Sequence, residues 1–267
     1  MPDAGHGAAP PHGCIRSMMA GSPPVTRTVR VHRYKRGDRA PHADEYEVPV
    51  GEHTTVLEAL RWIQLHDDPT VGLRHSCFHA SCGTCGVRVN GRERLACVTP
   101  VSDVSGTIIV DPLANLPVLH DLVVDMAPFV GRFPEPHPIV RESELPPATG
   151  SADSDDVHER YEDCIECGLC LSACPVAATD DTYLGPAALA YAQRLLEEPR
   201  ADRDAILDWA DQDAGVWRCH AAFECTEACP SDVRPAQRIM SLRKDLRRRR
   251  KEQGHEVPDR PPSPTGV

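Results

Sequence analysis

Nowhere in this chain of 267 residues does an apolar run approach the twenty or so residues that a bilayer-crossing helix needs. Residues 1–24 lack both the basic start and the apolar core of a secretory signal. A membrane span and an export signal are thus absent from the expected organisation. A disulfide scaffold is also excluded, because eleven of the twelve cysteines fall into spaced runs rather than pairs along a short secreted domain. Only Cys14 stands apart, in a low-complexity tail expected to be disordered over residues 1–24, where it reads as a free thiol. Lysine is scarce, 3 against 26 arginines, and this coding bias is given no functional meaning. One further absence carries more weight, and it is a single cysteine at position 222.

Seven cysteines form Cys164-x2-Cys167-x2-Cys170-x3-Cys174-Pro175 and Cys219-x5-Cys225-x3-Cys229-Pro230. The first run has the spacing in which three thiolates hold one iron–sulfur cubane while the fourth reaches across to a neighbouring cluster. A complete second run would place a cysteine three residues after Cys219, where the chain has Ala222. A cubane short of one thiolate tends to lose the iron that the thiolate would have held. The expected pair is one [4Fe–4S] cluster on Cys164, Cys167, Cys170 and Cys229, and one [3Fe–4S] cluster on Cys174, Cys219 and Cys225. Proline after each crossing cysteine offers no N–H and turns the chain away. Zinc is the competing reading, since it too takes Cys-x2-Cys pairs in fours. Seven cysteines divide badly into tetrads, and Cys-Pro endings are foreign to zinc sites.

A second group, Cys77-x4-Cys82-x2-Cys85-x11-Cys97, begins with the plant-type spacing for a [2Fe–2S] cluster. Between Cys85 and Cys97, Asn90-Gly91 is a two-residue hairpin signal flanked by Val87, Val89 and Leu95. Such a hairpin would carry Cys97 back beside the loop. Gly83 and Gly86 would let backbone amides approach sulfur, and these hydrogen bonds help to set cluster potential. His75 and His79 raise the alternative in which two histidines replace two thiolates on one iron. Four suitably spaced thiolates make that substitution unnecessary, so both histidines are expected to be structural or solvent-facing.

The fold class expected is α+β, an N-terminal β-grasp [2Fe–2S] domain followed by an all-α dicluster domain. Alternation over residues 25–31 and 46–50 reads as strands, and Val56, Leu60 and Ile63 line one face of a helix capped by Thr54 or Thr55. The cluster loop, the hairpin and the apolar run at 107–110 complete a front domain of residues 25–117. Residues 118–126 read as a connecting helix within a linker of 118–156. The back domain, 157–245, should contain helices over 186–196 and 203–211 and a third from Pro235, with Pro186 suited to a first turn. Residues 246–267 are expected to form a basic, disordered C-terminal tail. The formal charge of −11 hides an asymmetry, because residues 238–251 alone are +7 and the remainder is −18. A solvated helix end explains that run better than nucleic-acid binding, which no accompanying motif supports, and contact with an anionic membrane face stays open.

The order of [2Fe–2S] loop, linker and two Cys-Pro-ended runs resembles the iron–sulfur subunit of succinate dehydrogenase and fumarate reductase. Supporting phrases are Leu95-Ala96-Cys97, Pro117-Val118-Leu119-His120-Asp121, Gly185-Pro186-Ala187-Ala188 and Gly215-Val216-Trp217-Arg218-Cys219. The resemblance implies a relay between a FAD-containing flavoprotein and a quinone through [2Fe–2S], [4Fe–4S] and [3Fe–4S] in turn. It places the dicarboxylate chemistry on the partner chain. It also implies membrane-anchor subunits that hold this subunit peripherally at the cytoplasmic face of the inner (plasma) membrane. Part of a quinone pocket would fall on Pro175, His220, Ala222 and Arg243, the last being equally readable as a surface charge on the basic helix. Thr179 stands where some relatives have tryptophan, which leaves menaquinone or a soluble acceptor open beside ubiquinone. The electron-transfer subunit of another flavoenzyme complex, such as a glycolate-oxidase-like, heterodisulfide-reductase-like or thiol-dependent fumarate-reducing complex, is the second reading.

Overall fold

The computed structural model describes residues 25–134, 163–198 and 201–258. Cys14, the N-terminal tail, much of the expected linker and the last nine residues lie outside that set. The front lobe is a five-stranded sheet in the order β2-β1-β5-β3-β4, with β1 Val25–Arg33, β2 His42–Val50, β3 Gly86–Val89, β4 Arg92–Leu95 and β5 Ile108–Asp111. β1 and β2 pair antiparallel from Val25↔Val50 to Arg33↔His42, and β5 lies parallel to β1 at its centre. Helix α1, Val56–His66, makes the crossover between the two hairpins. Its Thr55 cap accepts from the Glu58 amide while the Glu58 carboxylate accepts from the Thr55 amide, so two otherwise orphaned donors are satisfied. Val29, Val31, Val48, Val56, Ile63, Ile108 and Val110 are fully buried between sheet and helix. Each contributes about 2 kcal/mol through removal of its side chain from water.

The segment expected as a connecting helix is instead a short antiparallel pair, β6 Val118–His120 and β7 Val123–Val124. Asp121 decides this. Its backbone adopts φ 50° at the turn, and its buried carboxylate accepts from the Tyr34 and Gly72 amides at 2.8 and 2.7 Å. Arg33 Nε lies 3.3 Å from the same carboxylate. A helix would leave these donors unpaired, and a buried unpaired donor costs about 1–3 kcal/mol. A single turn, α2 Ala127–Val130, follows.

The back lobe is helical: α3 Leu169–Ser172, α4 Pro186–Leu195, α5 Arg203–Ala210, α6 Glu224–Glu227 and α7 Pro235–Glu252. The long pair α4 and α7 packs around Leu189, Ala192, Ile239 and Leu242, all fully buried. Helix α7 runs seven residues past the expected boundary at 245. Leu246 is fully buried, and the basic run is tied down: Arg249 reaches Asp208 at 2.7 Å and Arg250 reaches Asp211 at 2.8 Å. The cations therefore dock α7 against α5 instead of forming a tail up to Glu252. No helix among the described residues is long and apolar enough to cross a membrane.

One continuous apolar core joins the lobes, including Leu113, Val124 and Phe129 from the front and Leu169 and Leu171 from the back. Asn115, at φ 61°, donates from Nδ2 to the carbonyls of Leu171, Ser172 and Cys174 at 2.8, 3.0 and 3.1 Å. Ser172 Oγ accepts from the Ala114 amide and donates to Glu93. The turn that carries the first cysteine run is thereby fixed against the front sheet.

Candidate iron–sulfur centres

The front loop wraps its sulfurs in amides. Positive φ at Phe78, Ala80 and Gly83 (64°, 60° and 68°) curls the backbone so that N–H groups point inward. The Cys77 sulfur accepts from the amides of His79, Ser81 and Cys82 at 3.5, 3.3 and 3.3 Å, and the Cys97 sulfur from Ala80 at 3.4 Å. Hydrogen bonds of this kind favour the thiolate. The His79 amide, with the others, draws the Cys77 thiol down to about 7. Thr84, whose hydroxyl is 3.2 Å from the Cys82 sulfur, lowers that thiol too. Burial acts the other way on Cys85, pushing it up to about 12.

The Asn90-Gly91 turn, with both residues at positive φ, aligns Gly86 with Leu95. The Ala96 amide donates to the Cys85 carbonyl at 3.1 Å, which delivers Cys97 to the loop. His75 Nε2 accepts from Arg61 at 2.7 Å, and His79 Nδ1 donates to the Cys77 carbonyl. Both histidine rings are thus engaged by neighbouring protein groups.

In the back lobe the two runs exchange their last members. Cys164, Cys167, Cys170 and Cys229 line one void, with Ile165, Phe129 and Pro230. Cys174, Cys219 and Cys225 line another, together with Pro175, Tyr183, His220 and Ala222. Among the described residues no group of three or more His, Cys, Asp or Glu side chains converges on a single ion. The thiols stand around each void without converging on one ion, which suits a polynuclear group. Burial raises Cys167 and Cys225 to about 12 and lifts Cys170 and Cys174 as well. Unmetallated, these thiols would stay protonated; a bound cation reverses that preference by stabilising thiolate. The donor set and the cradle therefore fit iron–sulfur clusters.

Arg243 is not among the residues lining the second void. Its Nη2 donates to the Val216 and Cys219 carbonyls at 2.8 and 2.7 Å, and its guanidinium lies 5.9 Å from the Trp217 ring centroid. It supports the Cys219 loop from behind. Arg218, buried beside Cys219, pairs with Asp180 at 3.0 Å.

The lobes meet at their ligand loops. A Cβ at Gly83 would lie 2.7 Å from the Ile165 carbonyl and 2.9 Å from Cys167 Cβ. The backbone beside Cys82 thus touches the backbone beside Cys167, with no side chain between. Sequence reasoning singled out Gly83 for its amide alone. It missed Thr84, Asn115 and Tyr183, because a single hydroxyl or amide carries no periodic signal.

A family profile described as a 2Fe-2S iron-sulfur cluster binding domain matches residues 28–131, and one described as a 4Fe-4S dicluster domain matches residues 160–233. A fumarate reductase iron-sulfur subunit from Mycobacterium tuberculosis is 40% identical over 222 residues, covering 79% of this chain and 89% of that one. The chain belongs to the family of fumarate reductase and succinate dehydrogenase iron–sulfur subunits. A mitochondrial succinate dehydrogenase [ubiquinone] iron-sulfur subunit from rice (Oryza sativa) is 32% identical, with 82% of each chain covered. Among solved structures, the Mycobacterium smegmatis Sdh1 complex in the apo form contains a chain that superposes with a TM-score of 0.76 at 25% identity, covering 85% of this chain and 98% of that one. As an iron–sulfur subunit the chain is an electron-transfer component of a multi-subunit oxidoreductase, equipped with [2Fe–2S] and [4Fe–4S] clusters.

Proposed function

We propose that the chain relays electrons between a FAD-containing flavoprotein and a quinone, with Cys77, Cys82, Cys85 and Cys97 holding [2Fe–2S]. In this reading Cys164, Cys167, Cys170 and Cys229 hold [4Fe–4S], and Cys174, Cys219 and Cys225 hold [3Fe–4S]. The single observation that carries it is the partition of the seven back-lobe thiols into walls of four and three around separate voids. When bound, the clusters supply one-electron redox chemistry. The chain's own residues hold, insulate and tune them through amides, apolar walls and Arg243 behind Cys219.

Exposed apolar residues adjoin the front loop and the three-thiol void. Phe78 and Val98, each 48% exposed, adjoin Cys77 and Cys97 and suit contact with the flavoprotein. Phe223, 37% exposed, stands with His220 and Ala222 at the three-thiol void, where Pro175, His220 and Ala222 would face quinone beside a membrane-anchor subunit. The complex would then sit peripherally at the cytoplasmic face of the inner membrane. Anaerobically purified complex should contain about nine irons on this subunit, from two-, four- and three-iron centres, with a separate EPR signature for each. Zinc in place of iron, or one centre alone, would overturn the assignment.

A further inference from the structure

Eight cations stand between Arg238 and Lys251, and folding divides them four and four. Arg238, Arg243, Arg249 and Arg250 turn inward, onto Gln193, the Val216 and Cys219 carbonyls, Asp208 and Asp211. Lys244, Arg247, Arg248 and Lys251 are exposed. Steps of three, one and three residues place these four on one side of α7, within about 100° of arc at 3.6 residues per turn. Ser241 and Gln237, one and two turns earlier, continue the same exposed face without adding charge.

The acids of this stretch lie to one flank. Asp245 is half-buried there, 2.9 Å from Arg248, and Glu252 falls on the same flank two turns later. Lys244, Arg247 and Lys251 make no hydrogen bond or ion pair through their side chains among the described residues. The chain therefore neutralises the inward cations and leaves the outward ones to solvent. Four cations aligned on one helix face are a site for anionic headgroups, because each gains from the negative potential close to a lipid surface. No aromatic side chain interleaves with them to stack on bases, which disfavours a single-stranded nucleic acid.

The face begins beside the three-thiol void. Arg243, which supports the Cys219 loop, directly precedes Lys244 and lies one turn before Arg247. We propose that Lys244, Arg247, Arg248 and Lys251 bind the anionic headgroups of a phospholipid surface and so orient this end of the subunit toward the bilayer. The proposal rests on the reading above in which the three-thiol void faces quinone, a ligand drawn from the membrane.

Lysine labelling tests it, since this chain has only Lys35, Lys244 and Lys251, and Lys35 is an exposed reference in the front lobe. The assembled complex is placed in nanodiscs of phosphatidylcholine alone or mixed with phosphatidylglycerol, and acetylation is followed by mass spectrometry. Lys244 and Lys251 should react about fivefold more slowly in the anionic discs and regain their rate at high salt, with Lys35 unchanged. Equal rates in the two compositions overturn the proposal, whether both are fast or both are slow, as beneath a protein partner. Equal slowing of Lys35 overturns it too, by showing a general effect of the discs. Protection by an added oligonucleotide and not by phosphatidylglycerol overturns it in favour of nucleic acid. Arg247→Gln combined with Arg248→Gln should weaken the lysine protection, and undiminished protection overturns the proposal; if that variant fails to assemble, the wild-type comparison decides. A complex without a three-iron EPR signal or without quinone turnover would instead sink the reading of the void, an outcome the labelling does not share.

Discussion

Cys77–Cys97 are carried by a loop and hairpin whose neighbouring strands are bonded over nine register positions and whose core valines are fully buried. In the back lobe, α3 and α6, within or beside which Cys167, Cys170, Cys174, Cys225 and Cys229 fall, are four residues long. Helices of one turn cannot sustain themselves, since nucleation costs more than their few bonds return. They are held by α4 and α7 on one side, by Asn115, Ala114 and Glu93 from the front lobe, and by whatever fills the two voids. The lesson is that the front lobe presents a cluster loop on a finished fold, while the back lobe uses its clusters as part of the core.

Iron removal should break that comparison most visibly. Anaerobic chelation of the complex is expected to unfold the back-lobe loops while leaving the β-sheet folded. Limited proteolysis should then cut near Cys164–Cys174 and Cys219–Cys229, with residues 25–111 protected. Uniform cleavage of both lobes would show that the front sheet also depends on metal. Next in size, Ala222→Cys supplies the absent fourth thiolate at the second void and should convert its centre toward [4Fe–4S] with a lower potential. An unchanged three-iron EPR signal would show that position 222 does not face the open corner.

Gly83→Ala acts on the seam between the lobes. Its Cβ would strike Ile165 and Cys167, and alanine would also have to adopt φ +68°, so a loss of about 1–3 kcal/mol is expected. Rapid-freeze EPR should show slower equilibration between the [2Fe–2S] and [4Fe–4S] centres, and unaltered stability with unaltered rate would refute a direct contact. Smallest is Thr55→Ala, which removes the α1 capping box far from the back lobe. Calorimetry should find a loss of about 1 kcal/mol in the front lobe, with all three midpoints retained. A shifted midpoint would mean that the lobes are less independent than their cores suggest.

Local chemistry made much of this legible in advance. Periodicity located α1, α4 and α5 to within a few residues, and Asn90-Gly91 located the hairpin, because these signals act over neighbours in sequence. The strand pair at residues 118–124 was hidden, since Asp121 takes its conformation from donors on Tyr34, Gly72 and Arg33 that lie far away along the chain. The end of α7 was misjudged for the same reason, as the arginines that look like a tail find Asp208 and Asp211 only when α5 is packed alongside.

Thiol spacing by itself pointed to iron–sulfur clusters and showed that the second cysteine run is one member short, because ligand count and reach are properties of a few consecutive residues. Only the tertiary structure decided that Gly83 meets Cys167, that Arg243 stands behind Cys219, and that one wall carries a buried phenol. Those outcomes depend on which surfaces exclude water from one another, and that is settled only when the whole chain has folded.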